Sequence, residues 1–147
     1  MKHDRTIKQV SVKGEVTRII VVNHQRELLL VKSSDRPDCF ELPGGKVELG
    51  ETPLEGALRE LGEETGQLAT AATLRYVGEF TRPIPHDPAI VWKHYLYTIT
   101  IPHPTIIIDR DEIIDYCWIT PDMIERYTLE FTSQYFLMRI RPPRNRQ

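Results

Sequence analysis

At 147 residues, with 40% hydrophobic and 27% charged side chains, the chain has an ordinary globular composition and is long enough to bury a core in one domain. A formal charge of -2 gives no global attraction to nucleic acid or to an anionic membrane, so affinity for an anionic substrate has to come from a local site, with help from a cation. No apolar run approaches a membrane span and the opening MKHDRTIKQV has no apolar signal core, so the expectation is a cytoplasmic protein without membrane contact.

The apolar runs VTRIIVV and ELLLV, separated by the polar turn NHQR, predict a hairpin over 14–32. The loop KSSDRPD follows, then the short apolar stretch CFELP and the glycine-rich GGKVELGE, which reads as a structured loop. Next comes the strongest helix signal. Thr52 is a candidate N-cap, Pro53 sits at the first helical position, Glu55 completes a capping box, and Gly66 suits the left-handed position that ends a helix. Leu54, Leu58 and Leu61 repeat at helical spacing and are expected to face the core.

Further strands are predicted at 74–80, 90–101 and 105–109. The segment TRPIPHDPA between the first two reads as an irregular, exposed loop because it carries three prolines. DYCWIT (115–120) predicts another short strand, Thr120-Pro121-Asp122 a helix start, and 132–140 an amphipathic helix. Residues 139–147, rich in arginine and proline, read as a flexible basic tail. Strands and helices alternate with no repeat or linker, giving one mixed α/β domain over 1–147. Cys39 and Cys117 belong to no C-x-x-C or zinc pattern and read as reduced, buried thiols, with a disulfide as the alternative.

The chemistry concentrates in RELGEETG. On a helix Glu60, Glu63 and Glu64 lie at i, i+3 and i+4, so three like charges share one face at a cost of about 0.2–0.5 kcal/mol per pair. That stripe falls beside the leucine stripe and not opposite it, at the rim of the core where a cleft belongs. Carboxylate and carbonyl oxygens suit hard cations, and a bound dication removes the like-charge penalty. Arg59 is placed to hold one carboxylate through a bidentate contact.

The stretch GKVELGETPLEGALRELGEETGQ (45–67) resembles the Nudix box, matching every glycine and charged position of that motif: Gly45, Glu51, Arg59, Glu60, Glu63, Glu64 and Gly66. Leu61 fills the first aliphatic place, whereas Gln67 departs from the last one, with Leu68 one residue later. The resemblance implies an α/β/α sandwich with a mixed sheet that hydrolyses nucleoside diphosphates linked to another moiety. It implies Mg2+, with Mn2+ as a substitute, on Glu60, Glu63, Glu64 and the Gly44 carbonyl. Glu63, Glu64 and Arg59 then belong to the catalytic set, Arg59 orienting a glutamate, while Gly45, Glu51 and Gly66 support the motif.

In this family a general base often lies outside the box, in a loop before a late strand. RDEIIDYCW offers Asp111, Glu112 and Asp115, and the position of Glu112 six residues before Trp118 is similar to that in MutT-like members. Lys46 is a candidate phosphate contact. Arg36 is a second, although Pro37 and Asp38 beside it argue for an ordinary turn. Phe40, Trp92, Tyr95 and Tyr97 are candidates for stacking on a base, against the alternative of core packing. His24, His86 and His94 show no ligand spacing and read as structural or solvated.

Two substrate classes follow from the resemblance. The first is a nucleoside triphosphate cleaved in the MutT manner to a nucleoside monophosphate and pyrophosphate, favoured by the few residues that precede the first strand. The second is ADP-ribose or another nucleotide sugar, for which a proline about sixteen residues past the box is a family marker, and Pro83 falls there. A nucleotide-binding module that has lost catalysis is the rival of another class, but such a module should show gaps among the metal-binding glutamates and none is present. The expected partner is a small nucleotide, with no nucleic acid, and the chain is expected to act as a monomer or homodimer.

Overall fold

A computed structural model describes residues 10–140 except positions 68, 72, 85, 103–105, 107, 109 and 110. Six strands, two α-helices and a 3-10 helix follow one another as β1 (Ser11–Val22), β2 (Leu28–Ser33), β3 (Gly44–Lys46), α1 (Pro53–Thr65), β4 (Arg75–Ile84), β5 (Asp87–Thr100), β6 (Ile113–Ile119), the 3-10 helix (Pro121–Arg126) and α2 (Phe131–Ile140). The strands form one mixed sheet in the order β4-β5-β1-β2-β6, with β3 paired to the middle of β1. β1 runs parallel to β5, and the other pairings are antiparallel.

Strand alternation sorts side chains to the two faces of this sheet. Ile19, Val21, Leu29 and Val31 pack against Ala57 and Leu61 of α1, with Leu54 and Leu58 at the edge of the cluster. Ile20, Leu28, Leu30 and Leu96 pack on the opposite face against Phe136 and Leu137 of α2 and Ile124 of the 3-10 helix. The sheet is therefore the middle layer of an α/β/α sandwich, as the motif implied.

α1 carries the capping expected of it. Thr52 Oγ1 accepts from Glu55 N, the Glu55 side chain returns to the Thr52 backbone, and Gly66 closes the helix at φ 71°. Gly44 and Gly45 are held by β1, in register Thr17 with Gly45 and Arg18 with Gly44. Gly44 adopts φ +142°, and a Cβ there would stand 2.0 Å from the Thr17 carbonyl oxygen, so only glycine lets β3 lie against β1 in this way.

Several sequence expectations are corrected. TRPIPHDPA is not an irregular loop, because β4 continues to Ile84 and β5 starts at Asp87, making one long hairpin. Pro83 is tolerated because β4 is the sheet edge, and Pro88 because β1 joins β5 only from Ile90. The 14–32 hairpin exists, but its strands meet only at Val22 and Leu28, and β1 takes β5 as its main neighbour. Thr120-Pro121 opens a 3-10 helix in which the Thr120 side chain makes no cap bond. Arg139 and Ile140 belong to α2, not to a tail, and residues 141–147 lie outside the described residues. So do Leu68 and most of the expected 105–109 strand, of which Ile106 and Ile108 are described and lie outside any strand. Cys39 and Cys117 are free and half-buried. Among the described residues no helix is long and apolar enough to cross a membrane.

The capping box makes a direct prediction. Thr52→Ala removes the acceptor for Glu55 N and is expected to lower stability by about 1 kcal/mol; a urea-unfolding midpoint equal to wild type contradicts the assigned cap.

Candidate active site

The box folds into a polar cleft of about 470 Å³ between the β3 loop, α1 and the turn before β6. Glu60 and Glu64 project into it from α1, and Gly44, Gly45 and Lys46 form one wall. Asp111 and Glu112 enter from the turn, which is tied across the cleft to the 33–36 loop. There Ser34 N donates to the Glu112 carbonyl at 2.8 Å and Ser34 Oγ to the Asp111 carbonyl at 3.0 Å. Asp115 does not line the cleft: it sits within β6 opposite Lys32, its carboxylate accepting from Tyr116 N.

Arg59 lies at the centre of the acids. Its Nε and Nη2 grip the Glu51 carboxylate at 3.1 and 2.8 Å, Nη1 reaches Glu60 at 3.0 Å and Glu63 at 3.1 Å, and Nη2 also donates to the Lys46 carbonyl. The Glu51 bond is the main reason that the guanidinium holds its proton more tightly than usual, and it lowers the Glu51 carboxyl below its ordinary value. Among the described residues no three acidic, histidine or cysteine side chains stand ready to hold an ion as they are placed.

The two buried acids behave differently. Burial raises Glu60 above the ordinary carboxylate range despite Arg59, and Glu63 and Glu112 push it further. Glu64 is raised well above its usual value, again by burial first, although the Gly44 N–H donates to it at 3.0 Å. A Cβ on Gly45 would stand 2.6 Å from Glu60 Oε1, so a bare backbone is what admits the carboxylate. Two desolvated carboxylates over a glycine backbone, in a polar cleft, form a donor set that fits a hard, oxygen-seeking dication.

A second cavity, of about 330 Å³, opens on the α2 face and shares Arg36 and Lys46 with the first. Even-numbered residues of β1 and β5 form its floor: Val16 and Arg18 beside Trp92 and His94. Arg82, Pro83 and Ile84 close one side, Glu130 and Thr132 another. The cavity rests on a buried ion-pair network. Arg18 Nη1 reaches Glu41 at 3.4 Å and the Leu42 carbonyl at 3.0 Å, and Nη2 reaches Glu130 at 3.6 Å. Arg36 clasps the same Glu41 through two bonds of 2.8 and 2.9 Å.

Three buried side-chain nitrogens have no hydrogen-bond partner among the described residues: Arg18 Nε, His94 Nδ1 and His94 Nε2. Each atom of this kind costs about 1–3 kcal/mol. His94 is 6% exposed and stacks on Phe80 at 4.7 Å.

Of the residues singled out from sequence, Glu60, Glu64, Gly44, Gly45, Lys46, Arg36 and Glu112 meet in or around the first cleft. Glu63 is exposed and tied to Arg59. Phe40 packs edge-on against Tyr127 under Lys32, and Tyr97 is buried in the core; neither lines either of these two cavities. Trp92 does line one, with Lys46 Nζ 5.4 Å from its ring centroid. His24 and His86 are exposed, as read. The sequence reading did not single out Arg18, Glu41 and Glu130. The available signal was an arginine on the buried phase of an otherwise apolar strand, which demands a buried acid elsewhere.

Comparison with known proteins agrees with the motif. The NUDIX domain family model matches residues 13–140. The chain is similar to a Bacillus subtilis protein named "Putative 8-oxo-dGTP diphosphatase", 35% identical over 103 residues, which are 70% of this chain and 64% of that protein. It is also similar to an ADP-ribose pyrophosphatase of Methanocaldococcus jannaschii, 38% identical over 65 residues, 43% of this chain and 37% of that protein. The chain thus spans less than two thirds of the length of these relatives. The fold superposes on the E. coli dihydroneopterin triphosphate pyrophosphohydrolase with a TM-score of 0.71 at 18% identity, covering 90% of this chain and 98% of that one.

The buried imidazole gives a pH prediction. Burial, then the charge of Arg18 with that of Arg82, pushes His94 down to about 4 from an ordinary 6.5, while Glu130 opposes them. The folded value lies below the unfolded one, so this contribution to stability is full above pH 6.5 and is lost as the pH falls toward 4. His94→Phe is expected to lose less unfolding free energy than wild type between those limits. Parallel curves of unfolding free energy against pH contradict a neutral, buried His94.

Proposed function

The chain belongs to the NUDIX family, and on that premise we propose that it is a Mg2+-dependent pyrophosphohydrolase that cleaves a nucleoside triphosphate to a nucleoside monophosphate and pyrophosphate. The observation that carries this reading is the meeting of Glu60, Glu64 and Glu112 with Lys46 and Arg36 in one polar cleft. Glu60, Glu63, Glu64 and the Gly44 carbonyl would hold the metal, with Mn2+ as an alternative. Bound there, the ion supplies positive charge where negative charge develops on the phosphoryl oxygens.

The chain's own residues do the rest. Lys46 and Arg36 draw the phosphates between the two cavities. Glu112 takes the proton from the attacking water as its oxygen bonds to phosphorus and the P–O bond bridging the α- and β-phosphates breaks, which separates nucleoside monophosphate from pyrophosphate. Arg59, fixed by Glu51 and the Lys46 carbonyl, orients Glu60 and Glu63. Asp115 does not line the cleft, and of the two acids that do, Glu112 is the one whose charge acts on Glu60, which favours Glu112 as the base. A nucleotide sugar such as ADP-ribose is the second reading, supported by Pro83 in the lining of the second cavity and by the named activity of the M. jannaschii relative.

A release assay over nucleoside triphosphates and ADP-ribose is expected to show turnover with Mg2+ or Mn2+ and none in EDTA. Full turnover without metal overturns the reading, and binding without turnover on the whole panel marks an inert module. Glu64→Gln is expected to lower kcat by several orders of magnitude while the metal-free protein keeps or raises its Tm. Loss of the fold in that variant assigns Glu64 a structural role instead. Glu112→Gln should lower kcat by about a hundredfold to ten-thousandfold with little change in KM, whereas Asp111→Asn and Asp115→Asn stay within a few-fold of wild type. A crippled Asp115→Asn beside a near-normal Glu112→Gln moves the base to Asp115.

A further inference from the structure

The polar atoms left unpartnered in the interior gather in one place. Arg18 Nε and both ring nitrogens of His94 are the buried side-chain atoms without a hydrogen-bond partner among the described residues, and both residues line the cavity on the α2 face. Buried polar groups are ordinarily satisfied, so a cluster of exceptions in a cavity wall calls for an explanation such as a ligand. His94 is not loosely placed. One face of its ring stacks on Phe80, which in turn stacks on Tyr135 at 3.8 Å, and its backbone lies in β5 between β1 and β4.

The chemistry of these atoms limits what they can bind. The His94 ring is uncharged at neutral pH, because burial and the flanking arginines disfavour the imidazolium. It therefore offers one N–H donor and one lone pair, and Arg18 Nε adds a second donor. The charge of Arg18, the cation of the cavity floor, is already met by Glu41 and Glu130, so what the floor leaves open is the hydrogen-bonding capacity of Arg18 Nε and the His94 ring. The cavity wall is flat and apolar. Trp92 lies across β1 where residue 14 is glycine, and a Cβ there would meet the indole at 2.5 Å, so Gly14 lets the ring lie down beside the opening. A flat ring whose edge carries both acceptors and a donor satisfies these groups, whereas a sugar alone offers no planar face.

We infer that His94 is a specificity-determining residue that hydrogen-bonds the edge of a nucleobase, with Arg18 Nε as a second donor and Trp92 as the apolar wall. The inference rests on the pyrophosphohydrolase reading for the phosphate end, since Arg36 and Lys46, shared by both cavities, are what join the base to the scissile linkage.

The test separates the two. Binding of adenosine, guanosine, cytidine and uridine 5′-monophosphates, and of ribose 5-phosphate as the base-free probe, is measured by calorimetry in EDTA, where no turnover takes part. Wild type is expected to bind at least one monophosphate tenfold or more tighter than ribose 5-phosphate. In His94→Phe, which keeps the stack on Phe80 and removes both nitrogens, that ratio should fall about tenfold with no loss of Tm at pH 7.5. On isotope-labelled wild type, the same monophosphate should shift the His94 ring nitrogen resonances. No preference for any base, an unchanged ratio in His94→Phe, or unmoved His94 nitrogens overturns the inference even if triphosphates are hydrolysed. Absence of triphosphate hydrolysis beside an intact base preference overturns only the reading of the phosphate end.

Discussion

Glu60 and Glu64 lie one turn apart on the buried flank of α1, under a backbone that approaches them only because residues 44 and 45 are glycines. Burial makes both hold protons more tightly than free carboxylates, and the charge of Glu60 makes ionisation of Glu64 harder still. The arrangement is held together by Arg59, whose guanidinium contacts Glu51, Glu60 and Glu63 within 3.1 Å. A single organic cation thus manages a set of acids whose chemistry suits an inorganic dication. The rest of the cleft follows from that constraint. β3 must hug β1, the helix must start at Thr52 to aim the acids inward, and the turn with Glu112 must fold back over them.

The two cavities lie on opposite faces of the sheet, and on the proposed reading they divide the work, with the acids of α1 beside the β3 loop at the phosphate end. The even-numbered side chains of β1 and β5 build the floor under α2, where the organic part of a substrate is proposed to rest. Arg36 and Lys46 stand between them. Glu41 couples the halves, since it is clasped by Arg36 at the cleft and by Arg18 beneath the second cavity. Truncating such a buried partner is costlier than its net contribution suggests, because it leaves a desolvated charge unpaired. This network is a positioning device as much as a source of stability.

Local signals carried the sequence reading well. The Thr52 capping box, the leucine stripe, Gly66 and the acid spacing are all written within one helix and the loop before it, and they locate the first cleft. Sequence favours Glu112 among three acids for its likeness to MutT-like members, and the fold adds that it shares the cleft with Glu60 while Asp115 does not line it. Misreadings arose where tertiary context decides. The prolines of 81–89 signal a loop until β4 is known to be an edge, and nothing local pairs Arg18 with Glu41 or Glu130. His94 gave no sequence signal beyond an isolated histidine, since its meaning lies in what surrounds its ring.

The central claim is that the acids around Arg59 form a divalent-cation site, and it is tested most directly without any substrate. Mn2+ titrated into the purified protein and followed by electron paramagnetic resonance is expected to show saturable binding that weakens tenfold or more in Glu60→Gln. Binding that is absent from wild type, or equally strong in that variant, contradicts the account.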